Sequence, residues 1–245
     1  MVFRLFRFVL CALCAGLALG CSEREDRVAR APAPNAPLVF LTHPNGSPLA
    51  HLDAQGKPAG EYVELAKRIA AELGRELKVE GVDFAEILPR IKHGTADFGI
   101  ATISITEARL RDVDFSEPHA IGGARFLYRA DGERPRLSQI ASIRVGVEAG
   151  TREDLYLCHH DGDPVRFARV ADAVEALKAG RLDAVFFDGE PLQHYAEQSG
   201  GRLVVSPFAT RDRYGVAVSK QRKDVLEAAN RVLRRLRAEK GEAAP

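Results

Sequence analysis

The segment Gly94-Thr-Ala-Asp-Phe-Gly-Ile-Ala-Thr-Ile-Ser-Ile-Thr-Glu-Ala-Arg109, continuing through Leu110-Arg-Asp-Val-Asp-Phe-Ser-Glu-Pro118, decides how this chain is read. It reads as a glycine turn, a buried strand, a short hydroxyl-rich loop and a helix that presents an arginine. Asp97 to Ile103 is a near-continuous apolar run, the pattern of a strand covered on both faces. Hydroxyls, loop amides and a guanidinium at the carboxyl end of a parallel strand suit a small carboxylate. No nucleophile and base stand together in the segment. Capture of a small anion or zwitterion is expected rather than chemistry on it.

The pattern extends in both directions. Leu38 to Thr42 is a short apolar strand, followed by the loop His43-Pro-Asn-Gly-Ser-Pro48. Glu61 to Leu73 is an amphipathic helix with Val63, Ala66, Ile69, Ala70 and Leu73 on one face, stopped by Gly74. Leu77 to Val82 is the next strand. Asp83 is placed to cap a helix carrying Ile87, Leu88 and Ile91, in which Pro89 removes a hydrogen bond and Gly94 makes the end.

The second half repeats this grammar. Ile143 to Val147 is a strand, Gly150 breaks it, and Thr151 opens a helix with Asp154 in a capping-box position. Val165 to Ala168 is a strand, Ala171 to Ala179 a helix and Leu182 to Phe187 a buried strand. Ile91-Lys-His-Gly-Thr-Ala-Asp97 and Leu177-Lys-Ala-Gly-Arg-Leu-Asp183 share one outline: helix end, glycine stop, and an aspartate entering an apolar strand. Tyr214 to Val218 is a further strand. Arg222 to Glu239 is an amphipathic helix with Val225, Leu226, Ala229, Val232, Leu233 and Leu236 on one face.

The predicted fold class is therefore α/β with two lobes. Each lobe is a mainly parallel sheet flanked by helices, with the ligand cleft between lobes at the carboxyl ends of the strands. The expected division is residues 38–125 with 206–245 for lobe 1 and 126–205 for lobe 2. Gly122-Gly123 and Ser206-Pro207 flank the two crossings.

The first 21 residues are read as a leader. Arg4 and Arg7 form a basic start, Phe8 to Leu19 an apolar stretch, and Leu17-Ala-Leu-Gly-Cys21 resembles a bacterial lipobox. Lipidation of Cys21 is expected, with residues 22–37, charged and then rich in Ala and Pro, as a flexible tether. Ser22 lacks the aspartate that resembles an inner-membrane retention signal, so outer-membrane sorting is compatible with the sequence. Loss of Arg4 and Arg7 with the leader takes the formal charge from +1 to −1, which gives no footprint for nucleic acid. Three of the four cysteines precede residue 22, leaving Cys158 and no intramolecular disulfide. The adjacent Cys158-His159-His160 is read as a polar surface loop rather than a metal site.

Seven motifs in order carry a family resemblance: Gly60-Glu-Tyr-Val-Glu-Leu-Ala66, Gly94-Thr-Ala-Asp97, Ser104-Ile-Thr-Glu-Ala-Arg109, Val113-Asp-Phe-Ser-Glu-Pro118, Val145-Gly-Val-Glu-Ala-Gly-Thr151, Gly180-Arg-Leu-Asp-Ala-Val185 and Tyr214-Gly-Val-Ala-Val218. With them the chain resembles the bacterial extracellular solute-binding proteins, family 3, from Leu38 to Leu236. These are polar amino-acid binding proteins of ABC importers, and the resemblance implies the type 2 periplasmic binding fold. It also implies that Arg109 holds a ligand α-carboxylate, aided by Thr102, Ser104 and the backbone amides of Thr151 and Arg152. Asp188 and the Ala101 carbonyl would take the α-ammonium, and Phe84 would pack on the ligand side chain. The implied partners are a small zwitterion, an ABC permease and a membrane reached through the lipid. No cofactor is expected, and the protein is expected to act as a monomer on the periplasmic side of a bacterial membrane.

Three positions depart from the family. Gly46 stands where an aromatic lid is common. His43 stands where binders of basic amino acids can carry an acid, which weighs against Lys or Arg. Glu61 replaces a usual aromatic. Two other functions fit the same scaffold. One is a cyclohexadienyl or arogenate dehydratase-like enzyme, for which Glu190 is the one candidate acid. The other is a sensor or accessory binding module without transport.

Overall fold

The computed structural model describes residues 36–45 and 47–241. The leader, Cys21, most of the tether and Gly46 lie outside the described residues. In chain order the elements are β1 (Leu38–Thr42), β2 (His51–Leu52), β3 (Pro58–Ala59), α1 (Glu61–Glu72), β4 (Leu77–Gly81), α2 (Phe84–Lys92), β5 (Phe98–Gly99), α3 (Glu107–Leu110), β6 (Asp114–Phe115) and β7 (Ala120–Gly122). There follow β8 (Ala124–Arg129), a 3-10 turn (Leu137–Ser142), β9 (Val145–Glu148), α4 (Arg152–Cys158), β10 (Val165–Phe167), α5 (Val170–Lys178), β11 (Ala184–Asp188) and α6 (Gly189–Gln198). The chain ends with β12 (Leu203–Val205), β13 (Asp212–Tyr214), β14 (Ala217–Val218) and α7 (Lys223–Lys240).

Two sheets of the same plan result, ordered β4-β1-β5-β14-β6 and β10-β9-β11-β8-β12. In each, the first three strands run parallel, the fourth runs against them, and the fifth runs with them again. The odd strands are β8, which enters the second sheet, and β14, which returns to the first. Between the sheets lies a two-stranded ribbon in which β7 pairs antiparallel with β13. Strands that arrive from this ribbon start at the carboxyl ends of their parallel neighbours, so they must run the opposite way. The repeated grammar of the two halves thus corresponds to two α/β lobes.

Burial on both faces explains the near-continuous apolar runs. Phe40 and Phe98 stack at 5.0 Å and pack with Ile69, Val225 and Val232 beneath α1 and α7. On the opposite face Leu41, Ile87, Ile91 and Ile103 pack beneath α2. In the second sheet Val185 and Phe187 face α5 and α6, whereas Ala184 and Phe186 join Phe126, Val147 and Leu157 on the other side. Each fully buried Phe, Leu or Ile contributes about 1.5–3 kcal/mol. The chain's return is tied down by charge. Asp97 accepts the Val39 amide at 2.7 Å and pairs with buried Arg222, which joins β1 and β5 to the start of α7.

Several expectations change in detail. The strand predicted over Asp97 to Ile103 narrows to β5, because the chain bends after Gly99; Ile100 and Ile103 are buried without pairing in a ladder. The strand predicted over Tyr214 to Val218 splits, with Tyr214 closing the ribbon and Ala217 and Val218 joining the first sheet. Asp83 stands at the start of α2, but its side chain makes no capping bond, and α2 continues past Pro89 to Lys92. Strands β7, β8 and β12 and helix α6 were not foreseen.

Gly123, immediately after β7, is where the ribbon is tightest. A Cβ there would lie 2.1 Å from the Thr210 carbonyl oxygen, inside van der Waals contact with the backbone that leads into β13. Gly123→Ala should lower stability by about 1–3 kcal/mol through backbone strain. Urea unfolding measures this, and an unchanged midpoint would mean that the ribbon relaxes freely.

Candidate functional site

Arg109 is presented by a single helical turn. Thr106 caps α3, its hydroxyl accepting the Arg109 amide at 3.3 Å, which aims the side chain back over the preceding loop. The guanidinium donates through Nη1 to the Ser104 carbonyl at 3.0 Å and lies 5.7 Å from the centre of the Phe84 ring. Burial lowers its pKa, yet a guanidinium stays charged in any such setting. Phe84 is buried at the start of α2, and Ser104 bridges to Tyr214 between backbones. The Ala101 carbonyl already accepts the Ile103 amide at 2.7 Å.

Asp188 ends β11 and is 3% exposed. The Tyr214 hydroxyl donates to it, and the Thr102 side chain bonds to it as well. Burial pushes its pKa up to about 6, against the pull of those two donors and of Arg109. Burial and the Asp188 charge hold the Tyr214 phenol far above its ordinary pKa, so it remains a donor. The structure thus brings Arg109, Phe84 and Thr102 from the first lobe together with Asp188 from the second.

On the second lobe, Thr151 caps α4. Its hydroxyl donates to the Glu148 carbonyl at 2.8 Å and accepts the Asp154 amide at 3.3 Å. The Asp154 carboxylate reaches back to the Gly150 amide at 3.3 Å, one residue short of the position in a strict capping box. Gly150 takes φ 77°, and a Cβ there would come within 3.1 Å of Ala85 on the first lobe, so glycine serves both the turn and the approach of the lobes. The Arg152 guanidinium pairs with Asp212 on β13. Cys158 ends α4, with its sulfur 2.9 Å from Arg166, and His159 and His160 are exposed.

Four residues of this region escaped the sequence reading: Tyr214, Asp212, Glu153 and Glu148. Only the ribbon brings the first two to the cleft, and nothing local marks them. Glu153, in the first turn of α4, is 3% exposed. Burial and the neighbouring Asp188 push its pKa up to about 8. Glu148 accepts the Val170 amide at 2.8 Å at the start of α5 and faces His43 Nε2 at 3.1 Å, a contact between lobes. His43 Nδ1 lies 2.9 Å from the Val82 carbonyl, which can only accept, so Nδ1 carries a proton. A second proton at Nε2 is then needed to meet the carboxylate. Burial alone would lower the His43 pKa, but the bond and charge of Glu148 outweigh it and the net shift is upward. The Tyr195 hydroxyl donates to the Asn45 carbonyl at 2.7 Å, another contact between lobes.

The model of the bacterial extracellular solute-binding proteins, family 3, matches residues 38–244. The amino-acid-binding protein AabA of Dichelobacter nodosus is 26% identical over 225 residues, 88% of this chain and 84% of that protein. The L-cystine-binding protein TcyJ of Escherichia coli is 26% identical over 233 residues, 89% of this chain and 84% of that protein. Among solved structures, holo ArgBP from T. maritima is 34% identical, with a TM-score of 0.77 over 82% of this chain and 90% of its own. An ancestral arginine-binding protein bound to arginine is 27% identical, with a TM-score of 0.78 over 85% and 95%. The curated relatives are named as binding proteins, not enzymes. Glu190, the acid an enzymatic reading would need, is exposed in the first turn of α6.

Three of the buried groups carry a pH dependence of the same sign. Asp188 rises from 3.8 to about 6, Glu153 from 4.5 to about 8, and His43 rises above 6.5. Each binds its proton more tightly in the folded chain than in the unfolded one. Their joint contribution is full at acid pH and is lost as pH climbs through these intervals. His119, buried and lowered from 6.5 to about 4, acts with the opposite sign below its unfolded value, so the thermal midpoint of the purified protein without added ligand should fall between about pH 6.5 and pH 8. Glu153→Gln should flatten the upper part of that fall; a midpoint that rises over the interval contradicts the assignment.

Proposed function

Because the chain belongs to the bacterial extracellular solute-binding proteins, family 3, we propose that it is a lipid-anchored receptor that closes on an α-amino acid or related zwitterion and delivers it to an ABC importer. One observation carries the choice of ligand: a half-buried guanidinium and a fully buried carboxylate lie near each other on opposite lobes. A simple carboxylate would answer Arg109 and leave the desolvated Asp188 with neutral donors but no cation, which is costly. A zwitterion answers both.

In this reading Arg109 takes the carboxylate through its planar fork, with Thr102, Ser104 and the amides of Thr151 and Arg152 adding donors. Asp188, held by Tyr214 and Thr102, takes the ammonium, and Phe84 packs on the side chain. The Ala101 carbonyl is left with a lesser part, since the Ile103 amide already occupies it. Carboxylate recognition belongs to the first lobe and ammonium recognition to the second, so only the closed form satisfies both. That difference is what can drive hinge closure. The crossing at the β7–β13 ribbon supports lobes of residues 38–125 with 206–245 and 126–205, although β8 of the second sheet already starts at Ala124. Cys21 would hold the protein to the periplasmic side of a membrane as a monomer, with Ser22 compatible with the outer membrane.

A thermal-shift screen of amino acids tests the ligand class, because a ligand at about a hundred times its Kd stabilises the fold by about 2.7 kcal/mol. Arg109→Ala should weaken the best ligand by on the order of 100-fold, as truncating a buried charged contact does. A shift that survives this change removes Arg109 from the site. Cys21→Ser should move the protein from the membrane to the soluble fraction on cell fractionation; unchanged membrane association would exclude a thiol-linked anchor.

A further inference from the structure

Glu153 is the buried charge that a neutral zwitterion leaves unmatched. Its side chain is buried in the first turn of α4, where the carboxyl accepts its own backbone amide and, among the described residues, no cation pairs with it. The groups that face it are Asp188 at the end of β11, Asp212 and the Tyr214 hydroxyl on β13, and Arg109 on α3. Arg152, the other cation near Arg109, is engaged by Asp212. Three carboxyls and two guanidinia therefore share this part of the cleft. Arg152 answers Asp212, a ligand carboxylate answers Arg109, and a ligand ammonium answers Asp188. Glu153 remains.

A carboxylate in such a place is either protonated or matched by a further cation. We propose that Glu153 is a specificity-determining residue that selects an amino acid with one extra positive charge, of the diamino or guanidino class. The proposal rests on the amino-acid reading above and names the side chain that reading leaves open; it puts the acid for a basic side chain at the start of α4 instead of at the His43 position, where Glu148 already answers the histidine. With a neutral ligand Glu153 stays protonated, consistent with its raised pKa, and offers only a neutral hydrogen bond. With a cationic ligand it gives its proton to solvent and forms a charge-assisted contact in a water-poor site. The surroundings have the same sign: exposed Glu61 and Glu190, in the first turns of α1 and α6, lie near each other and near the buried Tyr62, which is also close to Asp188. Their field favours entry of a cation.

Titration calorimetry at neutral pH, repeated in two buffers of different protonation enthalpy, compares matched pairs of ligands. Arginine is set against citrulline and lysine against norleucine, pairs that keep the chain and remove the charge. The wild type should bind the better cation at least about tenfold more tightly than its neutral mate and release protons on binding. In Glu153→Gln the preference should shrink and proton release should fall, while citrulline or norleucine binding persists. Equal affinity for charged and neutral mates in the wild type overturns the proposal, and that comparison needs no variant. An unchanged preference in a folded Glu153→Gln overturns it as well. Tight binding of neutral amino acids alone sinks only the choice of side chain, whereas failure of every amino acid to bind sinks the parent reading with it.

Discussion

The pairing of Ala120–Gly122 with Asp212–Tyr214 is the constraint on which the rest of the structure depends. The chain leaves the first sheet and returns to it side by side, so everything between is built as a second sheet on a narrow neck. That neck forces β8 and β14 to run against their neighbours and turns the carboxyl ends of both sets of parallel strands toward each other. It also places Tyr214 against Asp188 and Asp212 against Arg152. Thr210 joins the network, donating to Asp212 at 2.8 Å and accepting the Ala124 amide at 2.8 Å. The ribbon is thus bonded directly to the charged groups around Asp188 and Arg152.

Charge in a low-dielectric site then sets the behaviour of the cleft. Asp188 is kept usable by two donors rather than by a permanent cation, so an arriving ammonium has something to gain. Under the proposed reading each pole of the ligand makes a charge-assisted contact of about 1.5–3 kcal/mol. Moving a lobe equilibrium from about 1:99 to 99:1 takes about 5.5 kcal/mol. Two poles together reach that scale and one alone does not. His43 and Glu148, with Tyr195 and Asn45, add contacts of the protein with itself across the same gap. Under the proposed reading those contacts would favour closure with or without a ligand, and Arg109 and Asp188 would make it ligand-dependent.

Much of this was legible in the chain. The pattern of helix, glycine stop, aspartate and apolar strand was visible at Ile91 to Asp97 and again at Leu177 to Asp183, because burial on both faces writes a continuous apolar run. The Thr151 cap was legible because capping is local. The length of β5 was not, since Ile100 and Ile103 are as apolar as any strand residue yet are buried in a bend. The split at Gly215 was missed for a related reason: Tyr214 and Ala217 belong to different sheets, and no local signal distinguishes one long strand from two short ones.

The repeated helix-and-strand units, the two-lobed α/β class and an arginine beside a hydroxyl-rich loop follow from residue type and spacing, because they depend on neighbours within a turn or a strand, and the family resemblance adds the roles of Arg109 and Asp188. The partners of those two residues follow from neither. Tyr214 reaches Asp188 from 26 positions away, His43 reaches Glu148 from 105, and Asp212 meets Arg152 only through the ribbon. Glu153 looked like one more acid near the start of a helix, where carboxylates are common and solvated. Folding puts it 3% exposed beside another carboxylate, and that burial makes it a group the site must answer. Desolvation is a property of the closed assembly of lobes, and no stretch of sequence carries it.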